Sequence, residues 1–383
     1  MAATDSRPGV PSLLEGGVLA AALLLPGLAA PAHAETAPEQ GVVALKLLSY
    51  RDWQPGLDRI HVRAPSLYVL APVGSRWSVE GSLVSDSVSG ASPRYHSAVS
   101  GASRLTEQRT AVDFKLTHYG ERDAWSLGAA HSEEHDYRSR TLSADYRWST
   151  EDNNRSWNLG VAFSDDAIGS SNDPTLDEGR RTWQWTAGVT QVLSAVDLVQ
   201  ASLGASLGSG HFSDPYKFPD ARPRQRDQYT AMLRWNHHLQ PWNATLRTSW
   251  RYYSDSFGVR ANTLDAAWVQ PLNERVKLTP MLRYTTQRAA SFYYDPVYSS
   301  SLGEPFPPGF DASGQHSADQ RLSAFGALTA GLRVDWAIDA RWSMDLSYQR
   351  YEQRAAWRVG GDGSPGLAPF SAQWWQLGVA RSF

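Results

Sequence analysis

Few residues in this chain are spaced for chemistry, and the densest group is Asp86-Ser87-Val88-Ser89-Gly90-Ala91-Ser92-Pro93, whose V-S-G-A-S core returns at residues 99–103. A serine hydroxyl among small residues can enter another enzyme's active site. The equally simple alternative is a structural turn, with Gly90 and Pro93 as turn formers, repeated by local duplication. His131-Ser132-Glu133-Glu134-His135 sets two imidazoles four apart on one strand face, a spacing that suits zinc or copper, but no third-ligand pattern accompanies it. Asp165, Asp166, Asp173, Asp177 and Glu178 form an acidic stretch without EF-hand spacing, so a solvated loop is the default over calcium or lipopolysaccharide-bound cations. His237-His238 lies near a turn. No nucleophile elbow, zincin helix, phosphate loop or dinucleotide fingerprint occurs, so no catalysis and no metal site is expected.

The elements that carry these residues follow from composition. The 383 residues are 42% hydrophobic and 20% charged with a formal net charge of -3, which leaves no basic surface for a nucleic acid. Sixteen Trp and sixteen Tyr are a heavy load of amphipathic aromatics, the residues that settle at membrane interfaces. Cysteine is absent, which removes thiol chemistry and suits export through an oxidising compartment. Residues 1–34 read as a secretory signal, with an apolar stretch at 16–30 and Ala32-His33-Ala34 as the cleavage site. Beyond it no apolar run is long enough for a membrane-spanning helix, so any crossing of a bilayer must use strands.

Strict apolar–polar alternation then recurs in segments of about ten residues, the pattern of a wall with lipid on one side and water on the other. Leu322, Ala324, Gly326, Leu328, Ala330, Leu332, Val334, Trp336 and Ile338 alternate with a set that includes Arg321, Ser323, Thr329, Arg333 and Asp335. Val199, Ala201, Leu203, Ala205 and Leu207, and Tyr229, Ala231, Leu233 and Trp235, repeat the theme. Pro280 falls on an apolar face, where its missing N–H suggests a bulge. Short turns at 73–76, 120–123, 150–155, 194–197, 240–243, 271–274 and 339–341 alternate with long polar segments at 87–108, 165–178, 213–226, 289–319 and 359–367. The expected fold is therefore all-β: a transmembrane antiparallel β-barrel of about 16 strands, fourteen being the next count, formed by residues 35–383 as one domain. Short periplasmic turns, long external loops and periplasmic termini follow. A soluble sandwich or propeller would have strands of about five or six residues and no reason to place Trp and Tyr at strand ends.

In such a barrel the polar faces line the lumen, which assigns Glu80, Asp113, Lys115, Asp145, Arg147, Arg234, Arg247, Arg251, Arg283, Arg333, Asp335 and Asp345 to the interior. Either they border water, with mixed charge limiting ion selectivity, or they pair off and rigidify a closed interior. At the C-terminus, Gln376, Gly378 and Phe383 resemble the signal by which the barrel assembly machinery recognises its clients, with Arg381 as a departure from it.

Two further resemblances rest on Asp86 to Ser103. With Val79-Glu80-Gly81-Ser82-Leu83 before it and a second S-G-A-S after it, D-x-V-S-G-A-S-P resembles the hallmark of an uncharacterised domain-of-unknown-function family of Gram-negative outer-membrane proteins. The same motif is similar to the acceptor of periplasmic flavin transferases. That similarity implies covalent FMN on Ser92, with Asp86 as the acidic position and Ser103 as a second candidate, Ser97 standing where its acid should be. The functions open at this point are an outer-membrane pore or transport component of unknown solute, a flavin-bearing envelope electron carrier, and a structural or adhesive barrel. Lipid and lipopolysaccharide, the assembly machinery and a flavin transferase are the partners these imply.

Overall fold

A computed structural model describes residues 36–93, 102–171, 173–217, 219–296, 306–307 and 309–383. The expected signal segment and Val99, Ser100 and Gly101 of the second motif copy lie outside these. The strands run β1 (Val42–Gln54), β2 (Leu57–Val73), β3 (Trp77–Pro93), β4 (Ala102–Tyr119), β5 (Asp123–Glu133), β6 (Tyr137–Ser149), β7 (Arg155–Ile168), β8 (Glu178–Val192), β9 (Asp197–Gly210), β10 (Asp220–Ala221), β11 (Gln225–Leu239), β12 (Ala244–Asp255), β13 (Arg260–Pro271), β14 (Val276–Arg288), β15 (His316–Ser317), β16 (Phe325–Ala337), β17 (Trp342–Arg354) and β18 (Phe370–Ser382). Sixteen of them form one closed antiparallel ring in chain order, sealed where β1 pairs with β18; β10 and β15 pair with each other apart from it. Closure leaves no sheet edge, the condition for placing a sheet in lipid.

The ring stands because each strand has two faces of opposite chemistry. Leu203 (65% exposed), Leu142 (66%) and Leu127 (53%) are among many apolar side chains on its outer face, while Thr182, Gln200, Ser206 and Thr263 of the other parity are buried. All-β architecture, sixteen strands and the seven short turns thus match the sequence expectation. At the turn end the outer face carries an aromatic girdle. Trp77, His118 and Trp125 pack edge-on and stacked with centroids 4.6–5.4 Å apart, and Trp148 stacks on Trp157 at 6.0 Å. Such rings favour the headgroup level of a bilayer.

Several boundaries depart from expectation. Residues 87–108 are strand as far as Pro93 and again from Ala102, because their small alternating residues extend the β3–β4 ladder beyond its neighbours. Residues 165–168 likewise belong to β7. The Leu322 segment begins its strand only at Phe325, since Gln320–Leu322 is a 3-10 turn capped by Asp319. Pro280 makes no bulge: the β13–β14 ladder lapses between Ala267↔Met281 and Gln270↔Leu278 and resumes in the same register. The register does shift between Arg51 and Trp53, in the β1–β2 pair.

Candidate functional site

Two features inside the ring gather charged side chains: a basic inner wall and a loop assembly across the mouth. On the wall, Gln200, Arg234, Ser249, Asp265 and Arg283 are successive cross-strand partners from β9 to β14. Arg247 and Arg251 flank Ser249 on β12. Among the described residues, four guanidiniums thus share one patch of inner face with one cross-strand carboxylate, Asp265, which accepts from Arg283 and from Ser249. Strands about 4.8 Å apart hold the cluster to a width of roughly 15 Å. Arg283 keeps 53% of its side chain exposed although it faces inward.

On the opposite wall the charges are nearly balanced. Glu80 meets Lys115 at 2.9 Å, Ser82 donates to Asp113, and Asp145 and Arg147 lie on the same inner face of β6. Between the two walls, on β16 and β17, Arg333 donates to Asp335 at 2.5 Å and lies 3.8 Å from Asp345. The inner face of β4 to β6 also has a recess among Ala111, Ala130, Ser132, Ser139 and Thr141. The twelve residues named from the alternation therefore sit at inward-facing positions, in three groups.

The mouth at the external end is crossed by residues 211–217, 219–224, 289–296 and 309–324. Asp319 holds them together: its carboxylate accepts from Arg222 at 2.8 Å, from the Arg321 guanidinium, and from Arg321 N at 3.0 Å as the cap of the 3-10 turn. Arg321 reaches Asp214 at 2.5 Å and Arg222 reaches Asp220 at 2.9 Å. Opposing charges on both sides push Arg222 and Arg321 above the usual arginine range. Gln320 then meets Arg59 of β2 at 3.4 Å, and Arg59 lies 3.6 Å from Asp52. Around the ring, β2 and β11 are eight steps apart out of sixteen, so the network spans a diameter. Below it Phe212, Tyr253, Phe257 and Leu322 form a buried apolar cluster, with Arg226 stacked 4.5 Å over Phe257 and paired to Asp255 at 2.8 Å.

Burial pushes the Lys217 ammonium down to about 8 from 10.5, against the pull of Asp214 and Asp319. A folded value below the unfolded one is a penalty that is full below pH 8 and relieved as pH climbs towards 10.5. The loop assembly should therefore be firmer at pH 9.5 than at pH 7, by about 2 kcal/mol, and Lys217→Met should abolish the difference. Pulse proteolysis in urea at the two pH values reads it. Equal slopes for the variant and the unmodified protein would rule it out.

The motif residues come together only in part. The register sets Ser92 directly opposite Ser103. Asp86 is 2% exposed, on the inner face, and accepts from Arg109 at 3.0 Å. His131 pairs with Glu133 at 3.6 Å and Glu134 lies 3.8 Å from Arg109, so the five-residue stretch does not gather. Asp166 pairs with Arg180 inside and Asp165 with Arg181 outside. Among the described residues no three metal-ligating side chains converge. At the seam, Phe383 exchanges both backbone hydrogen bonds with Gly41 at 3.0 Å. A Cβ on Gly378 would lie 2.3 Å from the Asp345 carboxylate, so a larger residue there would require that side chain to shift.

The loop network escaped sequence reasoning, yet it had a signal: the twin Asp-x-Arg triplets Asp220-Ala221-Arg222 and Asp319-Gln320-Arg321. Asp265 was passed over because its arginine partner lies on another strand.

Among solved structures, the siderophore receptor PirA from Pseudomonas aeruginosa is similar with a TM-score of 0.46 and 10% identity, over 88% of this chain and 61% of that one. CdiB from Acinetobacter baumannii gives 0.49 and 7%, over 89% and 60%. A loop-deletion mutant of OmpT, an outer membrane protein of Vibrio cholerae, gives 0.44 and 8%, over 90% and 99%. The chain thus spans about six-tenths of the length of PirA and CdiB. No curated protein sequence matches it. The family profile described as "Protein of unknown function (DUF3570)" matches residues 16–177 and 170–374, and with nearly the whole chain so covered, the protein belongs to the DUF3570 family.

Proposed function

We propose that this protein is an outer-membrane pore, a transport component rather than an enzyme, whose lumen favours small anions and whose external mouth is narrowed by its own loops. One observation carries the reading: Arg234, Arg247, Arg251 and the exposed Arg283 share a patch whose one cross-strand carboxylate among the described residues is Asp265, facing a wall whose charges nearly cancel. Such a transverse imbalance draws anions to one side of a channel. In planar bilayers under a KCl gradient, the reversal potential should show chloride preference. Changing Arg234, Arg247 and Arg251 to Gln should remove most of it. Absence of conductance under any condition, or a potential indifferent to the three changes, would overturn the reading. Recognition of Gln376, Gly378 and Phe383 by the assembly machinery belongs to the same picture.

A second reading is covalent FMN on Ser92. Favouring it, β4 pairs with β5 only from Thr110 onward and β2 meets β3 only as far as Gly90, so the Ser92–Ser103 end of the hairpin stands clear of both neighbouring strands. Asp86 is tied to Arg109 in the closed barrel, so attachment would come before the barrel closes. Intact mass after co-expression with a flavin transferase should show an FMN-sized gain that Ser92→Ala removes and Ser103→Ala leaves. An unmodified mass in all three samples excludes it.

A further inference from the structure

The outer face is asymmetric from one rim to the other. Its turn end is ringed by Trp and His, whereas its external end carries arginines at outward positions: Arg63, Arg138, Arg140, Arg260 and Arg288, all exposed. None of these five has a hydrogen-bonding or carboxylate partner among the described residues. Two placements stand out. Arg260 and Arg288 are direct cross-strand partners on β13 and β14, a position where like charges repel. Arg138 and Arg140 lie two apart on one face of β6, immediately above Leu142, which is 66% exposed. Next to Arg140, Asp165 is turned to Arg181 at 3.1 Å, and Glu133, opposite Arg138, faces His131 at 3.6 Å.

Arginine pairs standing just outside a lipid-facing band, with no carboxylate of their own, need an anion with several oxygens at headgroup depth. Guanidinium groups bind phosphate oxygens in bidentate fashion. The external leaflet presents such groups as the phosphates of the lipid A portion of lipopolysaccharide. We propose that Arg260–Arg288 and Arg138–Arg140 are two binding sites for lipid A phosphates on the outer wall. The sites lie outside the lumen and stand whether or not it conducts. They also relieve the repulsion within each pair, so lipopolysaccharide strengthens the wall it surrounds.

The test uses the full refolded barrel in detergent, with bis-phosphorylated lipid A, its dephosphorylated form, phosphatidylglycerol and inorganic phosphate as probes, read by native mass spectrometry. The unmodified protein should retain bis-phosphorylated lipid A and lose it when both phosphates are absent, with millimolar phosphate competing poorly. Arg260→Gln with Arg288→Gln should weaken retention about 30-fold, each arginine near an anionic surface counting for roughly five-fold. Arg138→Gln with Arg140→Gln should act alike, and the paired Lys variants should recover most of the loss. Equal retention of the phosphorylated and dephosphorylated lipids by unmodified protein overturns the proposal, even if a variant folds poorly. So does undiminished binding by the folded Gln variants, or retention of phosphatidylglycerol as strong as that of lipid A.

Discussion

Asp319→Ala is expected to release the external loop assembly while the barrel itself stays closed. The carboxylate is fully buried and accepts from two guanidiniums, so its loss takes one of two carboxylate partners from each of Arg222 and Arg321. Removing one member of a buried pair typically costs about 3–5 kcal/mol. Here Asp220 and Asp214 remain for the two arginines, which puts the expected cost near about 3 kcal/mol, with loss of the 3-10 cap included. The wall does not depend on this contact, because its ladder is continuous from β1 round to β18. The variant should keep the anomalous gel mobility of an unheated barrel, become cleavable by trypsin within residues 211–224, and show larger single-channel currents. A variant as protease-resistant as the unmodified protein would show that the apolar cluster under the network holds the loops unaided.

The second large effect separates the two faces of one strand. Leu203 lies mid-way along β9 at 65% exposure, and Ser202 beside it has the opposite parity. Leu203→Arg places a charge in hydrocarbon and should cost about 2–4 kcal/mol, enough to depress folding yield into lipid vesicles. Ser202→Arg places the same charge in the lumen and should leave the folding free energy within about 0.5 kcal/mol, while lowering conductance. Urea titration of both variants in vesicles decides it. Equal destabilisation would mean that the lumen at this level is as dry as the bilayer.

The wall was legible in the sequence because a strand bordering lipid and water must alternate, and Leu203 beside Ser202 shows the rule at work. Turn positions were legible for a related reason: Asn153 and Asn243 take positive φ where the chain reverses, and Pro, Asp and Gly cluster at the other reversals. Boundaries at the external end were less so, since Val88 to Pro93 is a run of mostly small residues that fits a loop or a strand, and only its pairing with Ala102 to Glu107 makes it strand. The inward positions of Arg234 and Arg283 followed from parity. Their gathering around Asp265 did not, because register between distant strands is set by the whole ring. The loop network was least legible. Asp214, Arg222, Asp319 and Arg321 look like ordinary solvated charges until the segments that carry them are folded inward.

That network also has a mechanical side. A closed sheet one residue thick behaves as a thin-walled tube, stiff along its length and soft to squeezing. A strut fixed at β2 on one side and at the β9–β11 connection on the other holds one diameter constant. Any change of cross-section is then confined to the perpendicular axis, where the walls of β5 to β8 and of β14 to β17 face each other. Lateral pressure in the membrane would make the tube more or less oval without widening it along the strut.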